Sequence, residues 1–301
     1  MTLLGSNPKT CVINFAAEEK SIQQVCESLD ARLLPIDYHR FPDGESYVRI
    51  IEKEGEDLNN ARIIVVSNLH QPDAKMLQLY FLCETLRELG VSRIELLVPY
   101  LPYMRQDIRF KPGEGITSRY FAKWVSQFVD RLITVDPHLH RYKALSDIYS
   151  IDTELIHASD SIAQWIGNNI QNAILIGPDS ESEQWVKAVA EKANCPFLVL
   201  EKIRHGDRDV EVSVPDAERY RHCTPVLIDD IISTGKTMLQ TALHLQNAGL
   251  NKPICIGVHA VCSDSDYQQL KAGYVEKVVS CNSIPHESNA IDIMPSIIDR
   301  L

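Results

Sequence analysis

The 301-residue chain has no run approaching the roughly 18–20 apolar residues of a membrane-spanning helix. Its start, MTLLGSNPKT, has no basic stretch followed by an apolar core, so no signal peptide is expected. None of the eight cysteines (11, 26, 83, 195, 223, 255, 262, 281) forms a C-x-x-C pair, and several sit inside apolar runs. Buried reduced thiols fit that pattern better than a disulfide framework or a zinc site. Positive charge is in deficit: 30 Lys and Arg against 41 Asp and Glu give a formal net charge of −11. A general nucleic-acid or anionic-membrane binder needs the opposite balance, although a few residues suffice for a local basic pocket. Low-complexity runs and glycine- or serine-rich linkers are also missing. A cytoplasmic globular protein is expected, with neither nucleic acid nor membrane as partner.

Short β-branched runs are what the chain has in quantity. CVINFA, SYVRII, RIIVVS, RIELLVP, RLITVD, AILIG, FLVLE, PVLID, ICIGVH and EKVVS read as strands, and many are continuously apolar. That is how a parallel strand covered on both faces reads. Helical patterns lie between them. In PDAKMLQLYFLCETLRELG, Met76, Leu79, Tyr80, Cys83 and Leu86 share one face, and Gly90 can close the end. In TSRYFAKWVSQF, Thr117 is a candidate N-cap, with Phe121, Trp124 and Phe128 inward. The alternation predicts an α/β protein of two similar domains, each a mainly parallel sheet flanked by helices. The expected division is 1–148 and 149–301.

PVLIDDIISTGKTM, residues 225–238, carries the sharpest chemistry. Its Gly235-Lys236-Thr237 ends like a Walker P-loop, but Asp230 stands where that loop needs glycine. A strand, an acid pair, a turn and a helix fit better. Asp229 and Asp230 would sit at the carboxyl edge of the sheet and accept hydrogen bonds from sugar hydroxyls. Ser233, Thr234, Gly235, Lys236 and Thr237 would offer hydroxyls and helix-start amides to a monophosphate. Acceptors at one end and donors at the other suit a sugar 5-phosphate.

This stretch resembles the phosphoribosyl-diphosphate-binding motif of phosphoribosyltransferases and ribose-phosphate diphosphokinases. Other segments resemble the diphosphokinase in family order. RFPDGESYVRI carries Phe41, Asp43, Gly44 and Glu45, which the resemblance assigns to the adenine of ATP bound to a neighbouring subunit; the same residues also read as a β-turn. VPYLPYMRQDIRFKPGEGITS carries Arg105, Gln106 and Asp107 for ATP phosphate and base, with Ile108-Arg109 in place of the usual R-K. DRLITVDPHLHRY carries His138, implied to help hold magnesium with ATP; His138 and His140 could instead form a transition-metal pair. ILIGPDSESEQW carries Asp179 for diphosphate and magnesium, with Glu181 and Ser182 where the family has glycines. LEKIRHGDRDVEV carries Lys202 and Arg204, matching a mobile catalytic loop in which Arg204 also meets substrate.

The resemblance implies transfer of diphosphate from ATP to ribose 5-phosphate, with Mg2+ as cofactor and ATP as co-substrate. It further implies a homo-oligomer, hexameric or dimer-based, in nucleotide biosynthesis, and the closing SCNSIPHESNAIDIMPSIIDRL, which resembles the family's last segment, implies a final helix packed back on the first domain. Two alternatives stand beside it: a catalytically silent regulatory paralogue, and a phosphoribosyltransferase.

Overall fold

The computed structural model describes residues 9–52, 57–178, 182–205, 209–213 and 217–301. The chain divides into two compact units, Met1–Ile156 with Ile297–Leu301, and His157–Ser296.

The first unit contains β1 (Thr10–Phe15), α1 (Glu19–Ser28), β2 (Arg32–Leu33), β3 (Ile36–Arg40), β4 (Ser46–Ile50), β5 (Arg62–Ser67), α2 (Met76–Glu88), β6 (Arg93–Val98), α3 (Thr117–Val125), β7 (Arg131–Val135) and β8 (Asp152–Ile156). Six of these strands form a sheet in the order β2-β1-β5-β6-β7-β8, and its pairings are parallel. The apolar runs are buried because helices cover both faces. On α2, Met76, Leu79, Leu82, Cys83 and Leu86 are buried at three- and four-residue spacing. They join Phe15, Ile63 and Phe128 in one core. Truncating one such leucine to alanine costs about 2–5 kcal/mol.

The second unit contains α4 (Ser159–Asn169), β9 (Ala173–Gly177), α5 (Glu183–Ala193), β10 (Phe197–Val199), β11 (Glu201–His205), β12 (Asp209–Ser213), β13 (Thr224–Ile232), α6 (Lys236–Asn247), β14 (Ile254–Ala260), α7 (Asp264–Ala272), β15 (Lys277–Cys281) and β16 (Asn289–Ile291). Its sheet runs β10-β9-β13-β14-β15-β16, so each strand has its counterpart in the first unit. The duplication extends to a separate antiparallel hairpin in each unit, β3–β4 and β11–β12. In both sheets the chain leaves the first strand on one side and returns on the other. The strand order therefore reverses at the carboxyl ends of β1 and β5, and of β9 and β13. Such reversals are where open α/β sheets bind ligands.

Local readings of the sequence are corrected in several places. SYVRII is strand, but it belongs to the hairpin and not to the parallel sheet. Thr117 is the first helical residue of α3 and caps nothing. Instead the Ser118 amide donates to the Gln106 carbonyl at 3.3 Å, which meets one of the helix's unpaired donors. β13 does not stop before the acid pair. It continues to Ile232 because Ile231 and Ile232 still pair with His259 and Ala260 of β14.

Candidate active site

In the second unit, Asp229 and Asp230 are half-buried near the end of β13, and the Asp230 amide donates to the Asp229 carboxylate at 3.0 Å. Ser233, Thr234 and Gly235 form the turn into α6. Gly235 has φ +67°, and a Cβ there would lie 2.5 Å from Leu270 of α7. Only glycine lets the backbone turn so tightly against that helix. The first helical bond of α6 runs from the Leu239 amide to the Gly235 carbonyl at 2.9 Å. The amides before it point out of the helix start, beside the exposed Lys236 and Thr237. Carboxylates thus lie on the strand, and hydroxyls and helix-start amides follow in the turn.

Asp179 lies outside the described residues. The strand before it, β9, ends at Gly177 and borders β13 at the reversal point. Lys202 and Arg204 lie on β11, paired with Val212 and Val210 of β12. They stand on a strand, where the resemblance implied a loop.

In the first unit, the 41–45 segment forms the expected turn between β3 and β4. The Gly44 amide donates to the Phe41 carbonyl and the Phe41 amide to the Glu45 carbonyl, each at 2.8 Å. Gly44 takes φ +92°, and the Asp43 carboxylate accepts from the Glu45 amide at 3.1 Å. Phe41 is 44% exposed, edge-on to Tyr47 and His39, which leaves ring surface for a planar ligand.

Beyond β6, Arg105 is exposed and Gln106 half-buried. Asp107 is buried, with Arg141 Nε 3.5 Å from its carboxylate, so its charge is already matched within the fold. Beyond β7, the rings of His138 and His140 lie 3.7 Å apart.

The first-unit candidates thus gather on the hairpin and after β6 and β7, and none lies at that sheet's own reversal point.

Two further groups went unseen in the sequence. Tyr103, one of several non-glycine residues at positive φ (+62°), donates its hydroxyl to Asp73 and packs on Phe121. Burial, assisted by Asp73, pushes its phenol up to about 12. Arg40 donates to the Ala74 carbonyl at 2.8 Å and to the Gly44 carbonyl at 3.3 Å. Residues 73–74 therefore touch both the Phe41 turn and the Arg105 loop. Pairs so far apart in sequence leave no local pattern. The positive φ of a non-glycine residue is equally invisible.

Two parallel-sheet units of matching strand order, with an acid pair and a glycine turn at the reversal point of the second, have the architecture of the phosphoribosyltransferase class. Residues 10–128 match the family model described as the N-terminal domain of ribose phosphate pyrophosphokinase, and residues 145–293 match the phosphoribosyl transferase domain. The ribose-phosphate pyrophosphokinase of Sulfurisphaera tokodaii is 30% identical over 298 residues, covering 96% of this chain and 99% of the relative. That of Methanopyrus kandleri is 29% identical, covering 93% and 94%. The chain belongs to the ribose-phosphate pyrophosphokinase family. Its fold also matches the crystal structure of phosphoribosylpyrophosphate synthetase from Mycobacterium smegmatis, with TM-score 0.82, 22% identity and 97% coverage of each chain.

Proposed function

We propose that the protein transfers diphosphate from ATP to ribose 5-phosphate, giving 5-phosphoribosyl 1-diphosphate and AMP. The observation that carries this reading is the 229–237 segment at the reversal point of the second sheet, with sugar acceptors beside phosphate donors.

In this reading the anomeric hydroxyl of the sugar attacks the β-phosphorus of ATP. The bond from that phosphorus to the α,β-bridging oxygen breaks, AMP leaves, and the hydroxyl proton passes to water. Charge spreads over phosphate oxygens, so positioning and cationic contacts supply most of the catalysis. Asp229 and Asp230 hold the ribose hydroxyls, and Ser233 to Thr237 take the 5-phosphate. Lys202 and Arg204 meet the transferring diphosphate. Phe41, Asp43, Gly44 and Glu45 serve the base of ATP, with Arg105 and Gln106 on its phosphates and base. The loop at 41–45 serves a neighbouring copy's nucleotide, so a homo-oligomer accompanies the reading.

Magnesium prefers oxygen and keeps several waters. The His138 and His140 imidazoles are nitrogen donors, so the fit requires most of the ion's ligands to come from ATP oxygens and water. His138 and Asp179 would be its protein positions. When bound there it would offset phosphate charge.

The test is AMP formation by the purified protein. It should require ATP, ribose 5-phosphate and magnesium together, and Lys202→Ala should lower turnover by about two orders of magnitude or more. Base-dependent release of diphosphate without ATP would replace this reading with a phosphoribosyltransferase.

A further inference from the structure

The Gln106 side chain is held in one orientation. Its Nε2 donates to the Ile108 carbonyl at 2.9 Å and to Glu114 Oε2 at 3.3 Å. The same Glu114 oxygen accepts from the Phe110 and Lys111 amides at 2.8 and 3.0 Å. The Arg109 guanidinium donates to the Glu114 carbonyl at 2.9 Å. Glu114 is thus the hub of the 106–115 turn. Both hydrogens of the Gln106 amide have acceptors. Turning the amide over would set its oxygen against a carbonyl and a carboxylate, two acceptors that offer it no proton. The part of the Gln106 amide left for a ligand is therefore Oε1, and Oε1 only accepts.

We infer that Glu114 is a specificity-determining residue, which fixes Gln106 as an acceptor and so selects a nucleotide whose base presents an amino group. This rests on the assignment of the 105–107 segment to ATP. A 6-amino group donates to Oε1; a 6-oxo group in the same place faces it acceptor to acceptor. Glu114 acts through Gln106 and does not itself touch the base.

Adenosine and inosine triphosphates, as their magnesium salts, are the discriminating pair, because they differ at that edge of the purine. Their dissociation constants can be read by calorimetry, independently of turnover. The wild-type protein should prefer ATP by at least about tenfold, and Glu114→Ala should narrow the preference by about tenfold, because only the Ile108 carbonyl then holds the amide and the N–H freed from Glu114 can donate outward. Glu114→Gln keeps an acceptor oxygen and should retain most of the preference. Should Glu114→Ala fail to fold, Gln106→Leu gives the same reading by losing the discrimination. An unchanged ratio in Glu114→Ala or Gln106→Leu, with ATP still bound, overturns the inference and leaves the proposed function standing. A wild-type protein that binds neither nucleotide overturns both.

Discussion

Glu95 offers a strong test of which end of the first sheet serves function. It lies in β6 with its side chain only 2% exposed. Arg62 grips both its oxygens at 2.9 Å, Arg93 reaches it at 2.7 Å and Arg131 at 3.4 Å. Removing one partner of a buried ion pair costs about 3–5 kcal/mol. Here each arginine keeps a second acceptor: Arg62 the Leu301 carbonyl, Arg93 the Asp152 carboxylate, and Arg131 both Glu154 and the Arg300 carbonyl. Glu95→Ala should therefore fall at the lower end, about 3 kcal/mol. For a unit of this size that lowers the melting temperature by about 6–12 °C. Circular dichroism gives the total, and hydrogen exchange should show the β6 amides losing protection. A loss under about 1 kcal/mol would refute the account of the cluster. Michaelis constants measured below the melting range should stay within about twofold, because the candidate loops follow the opposite ends of the strands.

The same residue predicts a pH dependence. Burial alone would raise the Glu95 carboxyl, but its arginine partners overcome that and hold it below the ordinary glutamate value. A depressed folded value means that the stabilisation is complete above the unfolded value of about 4.3 and is lost as pH falls through the folded one. The stability gap between wild type and Glu95→Gln should be flat above about pH 5 and shrink below about pH 4.

Two further variants probe the two units separately. Gly235→Ala forces a Cβ to 2.5 Å from Leu270 at φ +67°; it should cost about 2–4 kcal/mol and weaken ribose 5-phosphate binding in calorimetry, and wild-type affinity would remove the turn from the site. Tyr103→Phe should raise the Michaelis constant for ATP by about three- to tenfold with turnover nearly kept, since it frees the Arg105 loop from Asp73; a fall in turnover alone would assign Tyr103 another role.

The parallel sheets were legible because strand runs such as RIIVVS and AILIG are buried on both faces and carry no alternation to mislead. The placement of Asp229, Asp230 and Gly235 was legible for a related reason: strand, turn and helix are contiguous there. Contacts between remote segments were not. Nothing near Tyr103 announces Asp73, and nothing near Arg40 announces Ala74. The resemblance implies a loop at Lys202 and Arg204, whereas pairing with β12 makes them strand. Glu95 did leave a sign, a lone acid inside RIELLVP, because a charge in a buried strand needs partners. Its three arginines come from different strands or different positions, so the sign did not identify them.

The duplication also bears on why the two units cannot share one role. The connection after β5 corresponds to the Ser233–Gly235 turn after β13, the proposed phosphate site. In the first unit, Lys75 Nζ donates within that connection to the Asn68 carbonyl at 2.8 Å and the His70 carbonyl at 2.7 Å. Burial there lowers the pKa of its ammonium. Carbonyls turned toward a cation have the opposite polarity to the amides a phosphate needs. Gly235 has no counterpart there that would press backbone amides outward; Gln71 takes the left-handed turn at φ +55°. One topology thus supplies two reversal points, and side-chain polarity suits only the second to a sugar phosphate. In the proposed reading, nucleotide recognition then falls to the 41–45 hairpin and the 105–114 turn, where Phe41 offers an exposed ring and Gln106 a fixed acceptor.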